Sequence, residues 1–174
     1  MKHHSTKEVK FYIMRHGEAM PAQALQGDAI RPLSAYGEQE VIMNAQWLQH
    51  YLAEQGATQL DWLLVSPYVR ARQTAAILAQ QVKVTELSEC DDITPEGNAQ
   101  HFADWLFAQL QQRGRGMQQV AIVSHMPFVS YLVAELDARM EPILFPTAGI
   151  AEITLKVDSL NGCFERMAVA ELTN

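Results

Sequence analysis

The stretch FYIMRHGEAM (Phe11 to Met20) is an apolar run that stops on Arg15 and His16. Two more basic groups follow apolar runs in the same way: Arg70 after DWLLVS, in SPYVR, and His125 after QVAIVS, in VSHMP. Arginine presents a planar fork of donors that stays charged and matches a phosphoryl group. A neutral histidine beside such a clamp can attack phosphorus and hold it as a covalent intermediate. A second histidine, if protonated, donates to a phosphoryl oxygen as charge develops. The sequence has no Walker loop, no His-Glu-x-x-His helix and no carboxylate cluster suited to magnesium. Phosphoryl transfer through a phosphohistidine, with no metal and no cofactor, is the chemistry that fits.

Such groups must be brought together by the fold. Val9 to Met14 reads as a first strand, and Ser34 N-caps a helix on which Val41, Ala45, Leu48 and Leu52 recur on one face, with Gly56 as its stop. Asp61 to Ser66 is a second strand, followed by a helix through PYVRARQTAAILAQQ. A short strand over Val82 to Leu87 leads into the acidic loop Ser88 to Asn98. A helix with Phe102, Leu106 and Leu110 on its buried face follows, then a strand over Gln119 to Ser124 and the apolar helix PFVSYLVAEL. The end reads as a hairpin in which Ile153, Leu155 and Val157 alternate and Asn161-Gly162 supplies the turn.

This alternation predicts a three-layer α/β sandwich with a mostly parallel central sheet, helices on both faces and a C-terminal hairpin. Ligands of such sheets bind outside the carboxyl ends of the strands. Arg15 and His16, Arg70 and His125 all stand just past strand ends, so one sheet edge should collect them.

Composition bounds the rest. At 174 residues the chain is read as a single domain, 1–174, with 1–7 as a flexible tail. The net charge of −7 offers no basic field for nucleic acid or an anionic membrane, so a phosphate site must be local. No apolar run approaches the ~20 residues of a membrane span. Cys90 and Cys163 form no Cys-x-x-Cys pair, the N-terminus MKHHSTKEVK is no signal peptide, and a cytoplasmic location is the expectation.

The segments MRHGEA, RPLSAYG, SPYVRARQTA and VSHMPFVSYLVAEL resemble the signature segments of the histidine phosphatase superfamily, the phosphoglycerate mutase-like clan. Within it the chain is similar to the short SixA-type phosphohistidine phosphatases, in order from Phe11 to about Ala170. The resemblance implies that His16 is the phosphorylated nucleophile, that Arg15 and Arg70 clamp the phosphate, and that His125 is the second histidine at the phosphoryl group. It also implies that Arg31, in RPLS, reaches the phosphate pocket. Gly17 stands where a side chain would crowd the phosphate, and its backbone can fix the imidazole tautomer. The implied substrate is phosphohistidine on a signalling protein of the histidine phosphotransfer type. A phosphatase of small phosphate esters or sugar phosphates, and a module that binds phosphohistidine without turnover, are the alternatives.

Larger relatives carry a glutamate general acid after the third strand, and nothing clearly matches it here. Glu96, Asp91 and Asp92 are candidates by location alone, and a solvated loop is the favoured reading for all three. Glu18 reads as an exposed loop carboxylate. His50, His101 and Arg72 read as helix-surface residues, and Trp47 and Trp105 as core. Ser66 and Ser124 lack the Gly-x-Ser-x-Gly setting of hydrolase nucleophiles. With no room for a lid between Gln73 and His125, the pocket should be shallow and open to a side chain on a folded partner.

Overall fold

The computed structural model describes residues 7–23 and 25–170. A six-stranded sheet runs through it, built from β1 (Glu8–Arg15), β3 (Trp62–Val65), β5 (Leu87–Glu89), β6 (Gln119–Ser124), β7 (Ile150–Lys156) and β8 (Asn161–Ala168). Their order is β5-β3-β6-β1-β7-β8; the first four are parallel, and β7 and β8 form an antiparallel hairpin at one side. Two short strands, β2 (Gln59–Leu60) and β4 (Lys83–Val84), pair separately.

Helices α1 (Ala35–Glu54) and α2 (Val69–Gln81) cover one face, and α3 (Ala99–Arg113) and α4 (Phe128–Leu136) the other. Strand β1 feeds both layers by simple alternation. Val9, Phe11 and Ile13 pack with α3 and α4, while Tyr12 and Met14 pack with α1 and α2. A strand buried on both faces must be a near-continuous apolar run, which is how β1, β3 and β6 read. Helix α1 starts where Ser34 Oγ accepts from Gly37 N at 3.0 Å, and the chain leaves it through Gly56 at φ +78°. Among the described residues no helix is long and apolar enough to cross a membrane.

Three details differ from the sequence expectation. The segment Val82 to Leu87 is not one strand: Lys83–Val84 pair with Gln59–Leu60, and Leu87–Glu89 join the main sheet beside β3. The hairpin turn is not Asn161-Gly162. Lys156 pairs with Asn161 and Leu155 with Gly162, so both residues lie in β8 and the turn is Val157 to Leu160. Gly162 is needed there for closeness, since a Cβ on it would stand 2.8 Å from Ile153 Cγ2. Residues 1–6 of the expected tail lie outside the described residues. Lys7 is anchored, with its ammonium donating to the carbonyls of Leu110 and Gly114 and its own carbonyl accepting from Val157 N.

Candidate active site

Parallel register assembles the site. Met14 and Val65 both align with Val123, so β1, β3 and β6 end at one level. The residues just beyond, His16, Ser66 and His125, therefore emerge side by side. Backbone pairing continues into this edge: His16 N donates to Ser124 O, Ser66 N to Val123 O and Arg15 N to Gly149 O. Arg70 comes from the first turn of α2 and is only 4% exposed. Arg15, His16, Glu18, Ala19, Arg31, Arg70, Met126 and Thr147 line a pocket of about 320 Å³. Four of the six basic or glycine positions expected from the sequence thus face one space.

His16 is 7% exposed. Arg70 Nε lies 3.3 Å from its Nε2, and its Nδ1 lies 2.6 Å from the carbonyl oxygen of Gly17. A guanidinium can only donate and a carbonyl can only accept. Both contacts therefore demand the same form of the ring, with hydrogen on Nδ1 and a lone pair on Nε2. Burial, assisted by Arg70, Arg15 and Arg31 and opposed by the Gly17 bond, pushes the His16 pKa down to about 4. The ring is neutral at pH 7, with the Nε2 lone pair unprotonated.

His125 is 1% exposed and meets the site through its ring, whose centroid is 5.0 Å from that of His16. Its Nε2 is 2.7 Å from Ser66 Oγ, which also accepts from Tyr68 N. The Ser66 hydroxyl hydrogen has no other acceptor among the described residues, so it points at Nε2 and leaves hydrogen on Nδ1. That Nδ1 is buried without a partner. Burial, with His16 and Arg70 adding to it, lowers the His125 pKa to about 3. His125 is thus a donor in its neutral form, not by virtue of being protonated. A buried donor left unsatisfied costs free energy unless a ligand meets it.

Arg15 repeats that pattern. Its Nη1 donates to Phe145 O at 2.6 Å, and its Nε is buried with no partner. Arg31 lines the pocket with Nε on Met20 O at 2.9 Å. Arg15 Nε and His125 Nδ1, buried donors without a partner, together with the Arg31 and Arg70 guanidiniums form a donor set suited to an anion.

Of the two duties expected of Gly17, its carbonyl does fix the His16 tautomer, but its lack of a side chain serves a different contact. Its N–H is spent on Thr74 Oγ1 at 3.2 Å, and a Cβ on it would stand 2.6 Å from Gly37 O and 2.7 Å from Val41 Cγ2. What a side chain would crowd is helix α1, not the phosphate. Gly37 answers from the other side, since its own Cβ would come 2.0 Å from Glu18 O. The two glycines seat the loop after β1 against the start of α1.

Asp91, Asp92 and Glu96 are exposed around a 3-10 turn, Asp91–Ile93, and none of them lines the His16 pocket. Glu18 is exposed as expected, yet it also borders that pocket and accepts from Ser34 Oγ at 3.0 Å. His50, His101 and Arg72 are exposed on their helices. Trp47 and Trp105 pack against the cores. Three participants escaped sequence reading. Ser66 holds His125, Tyr68 meets the His125 ring edge-on at 4.9 Å and has the Arg70 guanidinium over its face at 5.0 Å, and Asp28 binds Arg31 and Arg70. Proximity to SPYVR and RPLS was the only available signal for them. Among the described residues no three His, Cys, Asp or Glu side chains converge as a metal site.

Known proteins match over much of the chain. The model for the histidine phosphatase superfamily (branch 1) matches residues 11–113, and the chain belongs to that superfamily. The phosphohistidine phosphatase SixA homolog of Haemophilus influenzae is 36% identical over 148 residues, 83% of this chain and 87% of that protein. The phosphohistidine phosphatase SixA of Escherichia coli is 34% identical over 157 residues, 90% and 91% of the two chains. Among solved structures, that of the protein histidine phosphatase SixA complexed with tungstate superposes with TM-score 0.81 at 33% identity, covering 92% of this chain and 97% of the other.

Proposed function

We propose that this chain is a metal-independent phosphatase that attacks phosphorus through His16 and acts on phosphohistidine carried by a protein. The observation that carries the reading is the enforced His16 tautomer: a neutral ring at a pocket bordered by Arg15, Arg31 and Arg70, with its Nε2 lone pair held by Arg70 Nε. As Arg70 Nε turns from Nε2 to a phosphoryl oxygen, Nε2 attacks phosphorus, the phosphorus–nitrogen bond to the substrate imidazole breaks, and the departing ring takes up a proton. Water then attacks the phosphoryl group on His16, releasing inorganic phosphate and restoring the free ring. Arg15, Arg70 and Arg31 bind the equatorial oxygens, and the spare Nδ1–H of His125 donates as charge develops.

The substrate class rests on the SixA-type relatives at 34–36% identity, whose names record phosphohistidine phosphatases. The site itself adds an argument. The segment after β5 contributes only a 3-10 turn and no lid, so a phosphorylated side chain on a folded partner can reach the pocket mouth. A histidine phosphotransfer domain of a signalling relay is the partner we assign. We read the chain as one domain acting in the cytoplasm, in keeping with its two free thiols, Cys90 and Cys163.

Trapping tests the reading. Brief exposure to a phosphohistidine protein should leave acid-labile phosphate on His16, and His16→Ala should lose turnover while still binding vanadate through the arginines. Full activity in His16→Ala would overturn the covalent mechanism. Faster turnover of sugar phosphates than of phosphohistidine would overturn the substrate assignment.

A further inference from the structure

The clamp is already occupied from within. Asp28 opens the 3-10 turn Asp28–Ile30, and its carboxylate is shared between two of the pocket arginines. Oδ1 accepts from Arg31 Nη1 at 2.9 Å and Oδ2 from Arg70 Nη2 at 3.0 Å, while its backbone carbonyl accepts from Arg70 Nη1 at 2.7 Å. With Nε on His16, each of the three Arg70 nitrogens is engaged by the protein itself. A carboxylate offers two oxygens to guanidinium forks much as a phosphoryl group does. Arg15 Nε and His125 Nδ1, by contrast, stand unpartnered at the same site.

We propose that Asp28 is a specificity-determining residue that competes with the phosphoryl group for Arg31 and Arg70. The inference rests on the reading of those arginines as the phosphate clamp. In the resting site the carboxylate pairs with both; when a phosphoryl group arrives it takes their donors, and the carboxylate moves toward solvent. The Asp28 side chain is 52% exposed, so it has somewhere to go. Its return at the end of the cycle favours loss of inorganic phosphate. Small dianions bring little binding free energy beyond the clamp and must displace Asp28 unaided. A protein substrate brings contacts outside the pocket that offset the displacement, so Asp28 tilts selection toward protein-borne phosphoryl groups.

A carboxylate that only positioned the arginines would have the opposite effect on anion affinity when removed, which makes the sign decisive. Inorganic phosphate is titrated by calorimetry into wild type, Asp28→Asn, Asp28→Ala and Arg70→Ala at fixed ionic strength. Because the Asp28 carboxylate is half-exposed, the expected gain is modest: about three- to tenfold tighter phosphate binding in both Asp28 variants. KM for an aryl phosphate should fall by a similar factor, and inhibition by product phosphate should sharpen. Arg70→Ala should bind at least about tenfold more weakly. If the Asp28 variants bind phosphate no better than wild type while Arg70→Ala loses binding, the clamp stands and the competition is refuted. If Arg70→Ala and the Asp28 variants all bind like wild type, the clamp itself is misplaced and the inference falls with it.

Discussion

The rings of His16 and His125 lie 5.0 Å apart, inclined at 58°, two buried imidazoles side by side with the charges of Arg15 and Arg70 acting on both. Burial first, and the surrounding positive charge second, holds both neutral. This has a consequence for acid stability. The folded pKa values are about 4 and about 3, against 6.5 for each ring in the unfolded chain. Below pH 6.5 the unfolded chain takes up protons that the folded one refuses. The contribution of the neutral rings is therefore complete above pH 6.5 and lost as pH falls toward 4, at up to about 1.4 kcal/mol per pH unit for each ring. Melting temperatures from pH 7 to 5 should fall less steeply in His125→Asn than in wild type. An unchanged slope would refute the neutral assignment. The same shift keeps Nε2 of His16 unprotonated, so kcat/KM should show no acid limb near 6.5 that belongs to His16.

The arginines should separate by position. Arg70→Ala and Arg15→Ala each remove donors aimed at developing charge in a partly desolvated site and should each lower kcat by about 10²-fold or more. Arg72, two residues along α2, is exposed and borders a different hollow with Ala76 and Ala79. Arg72→Ala should match wild type within about twofold, the scale expected of an exposed charge. Steady-state rates on one substrate decide the matter, and a more sensitive Arg72 would contradict the geometry.

Seating of the loop after β1 depends on Gly37. A methyl group there would meet the Glu18 carbonyl at 2.0 Å, and backbone cannot give way as a flexible side chain can. Gly37→Ala should cost about 1–3 kcal/mol of stability by overpacking, despite the better helix propensity of alanine. Urea melts of Gly37→Ala beside a control such as Gln46→Ala, exposed on the same helix, make the comparison. Equal midpoints would show that the loop can shift freely.

How far the sequence spoke follows from these residues. Arg15, His16 and His125 are legible because buried parallel strands leave long apolar runs whose following polar residues must stand at the sheet edge, and Arg70 because it opens the helix that follows such a run. Ser34 and Gly56 were legible because helix ends have chemical signatures. Asp28 was not, since it belongs to an irregular loop with no period and its partners are distant in the chain. Asn161-Gly162 misled because turn chemistry was read without the pairing register, which places both residues in β8. The division of Val82 to Leu87 escaped because which neighbour an edge strand joins is decided by tertiary packing. For Gly17 the backbone contact to the His16 ring is legible, whereas the close approach of α1 is not, because it depends on how a helix packs on the loop.

Hydrolysis should need no added metal. Arg15, Arg31 and Arg70 with the spare hydrogen of His125 supply the positive charge and donors that a divalent ion supplies in other phosphatases. Turnover in excess chelator should stay within about twofold of the untreated enzyme, well inside the losses expected on deleting a clamp donor. Inactivation by chelator that magnesium or zinc reverses would contradict this.

The leaving group should decide the rate. Expelling an alkoxide from a phosphate monoester requires a proton delivered in the transition state, help worth roughly 10²–10⁴-fold. Neither Asp91, Asp92 nor Glu96 borders the His16 pocket, so none is placed to give that proton. Phosphohistidine asks for less, because its imidazole takes up a proton near neutral pH and departs as a neutral ring. Rates should therefore fall from phosphohistidine to aryl phosphates to alkyl esters such as sugar phosphates. Asp91→Asn, Asp92→Asn and Glu96→Gln should each leave phosphohistidine turnover within about threefold of wild type, as befits exposed charges away from the reacting atoms. Glu18 is the carboxylate that does border the pocket, and its oxygen is engaged by Ser34 Oγ. Glu18→Gln therefore belongs in the same series. If it cut alkyl ester turnover while sparing phosphohistidine, a proton donor for esters would sit there. If one of the loop substitutions cut phosphohistidine turnover as deeply as His16→Ala, the Asp91–Ile93 turn would have to close over the pocket during the reaction.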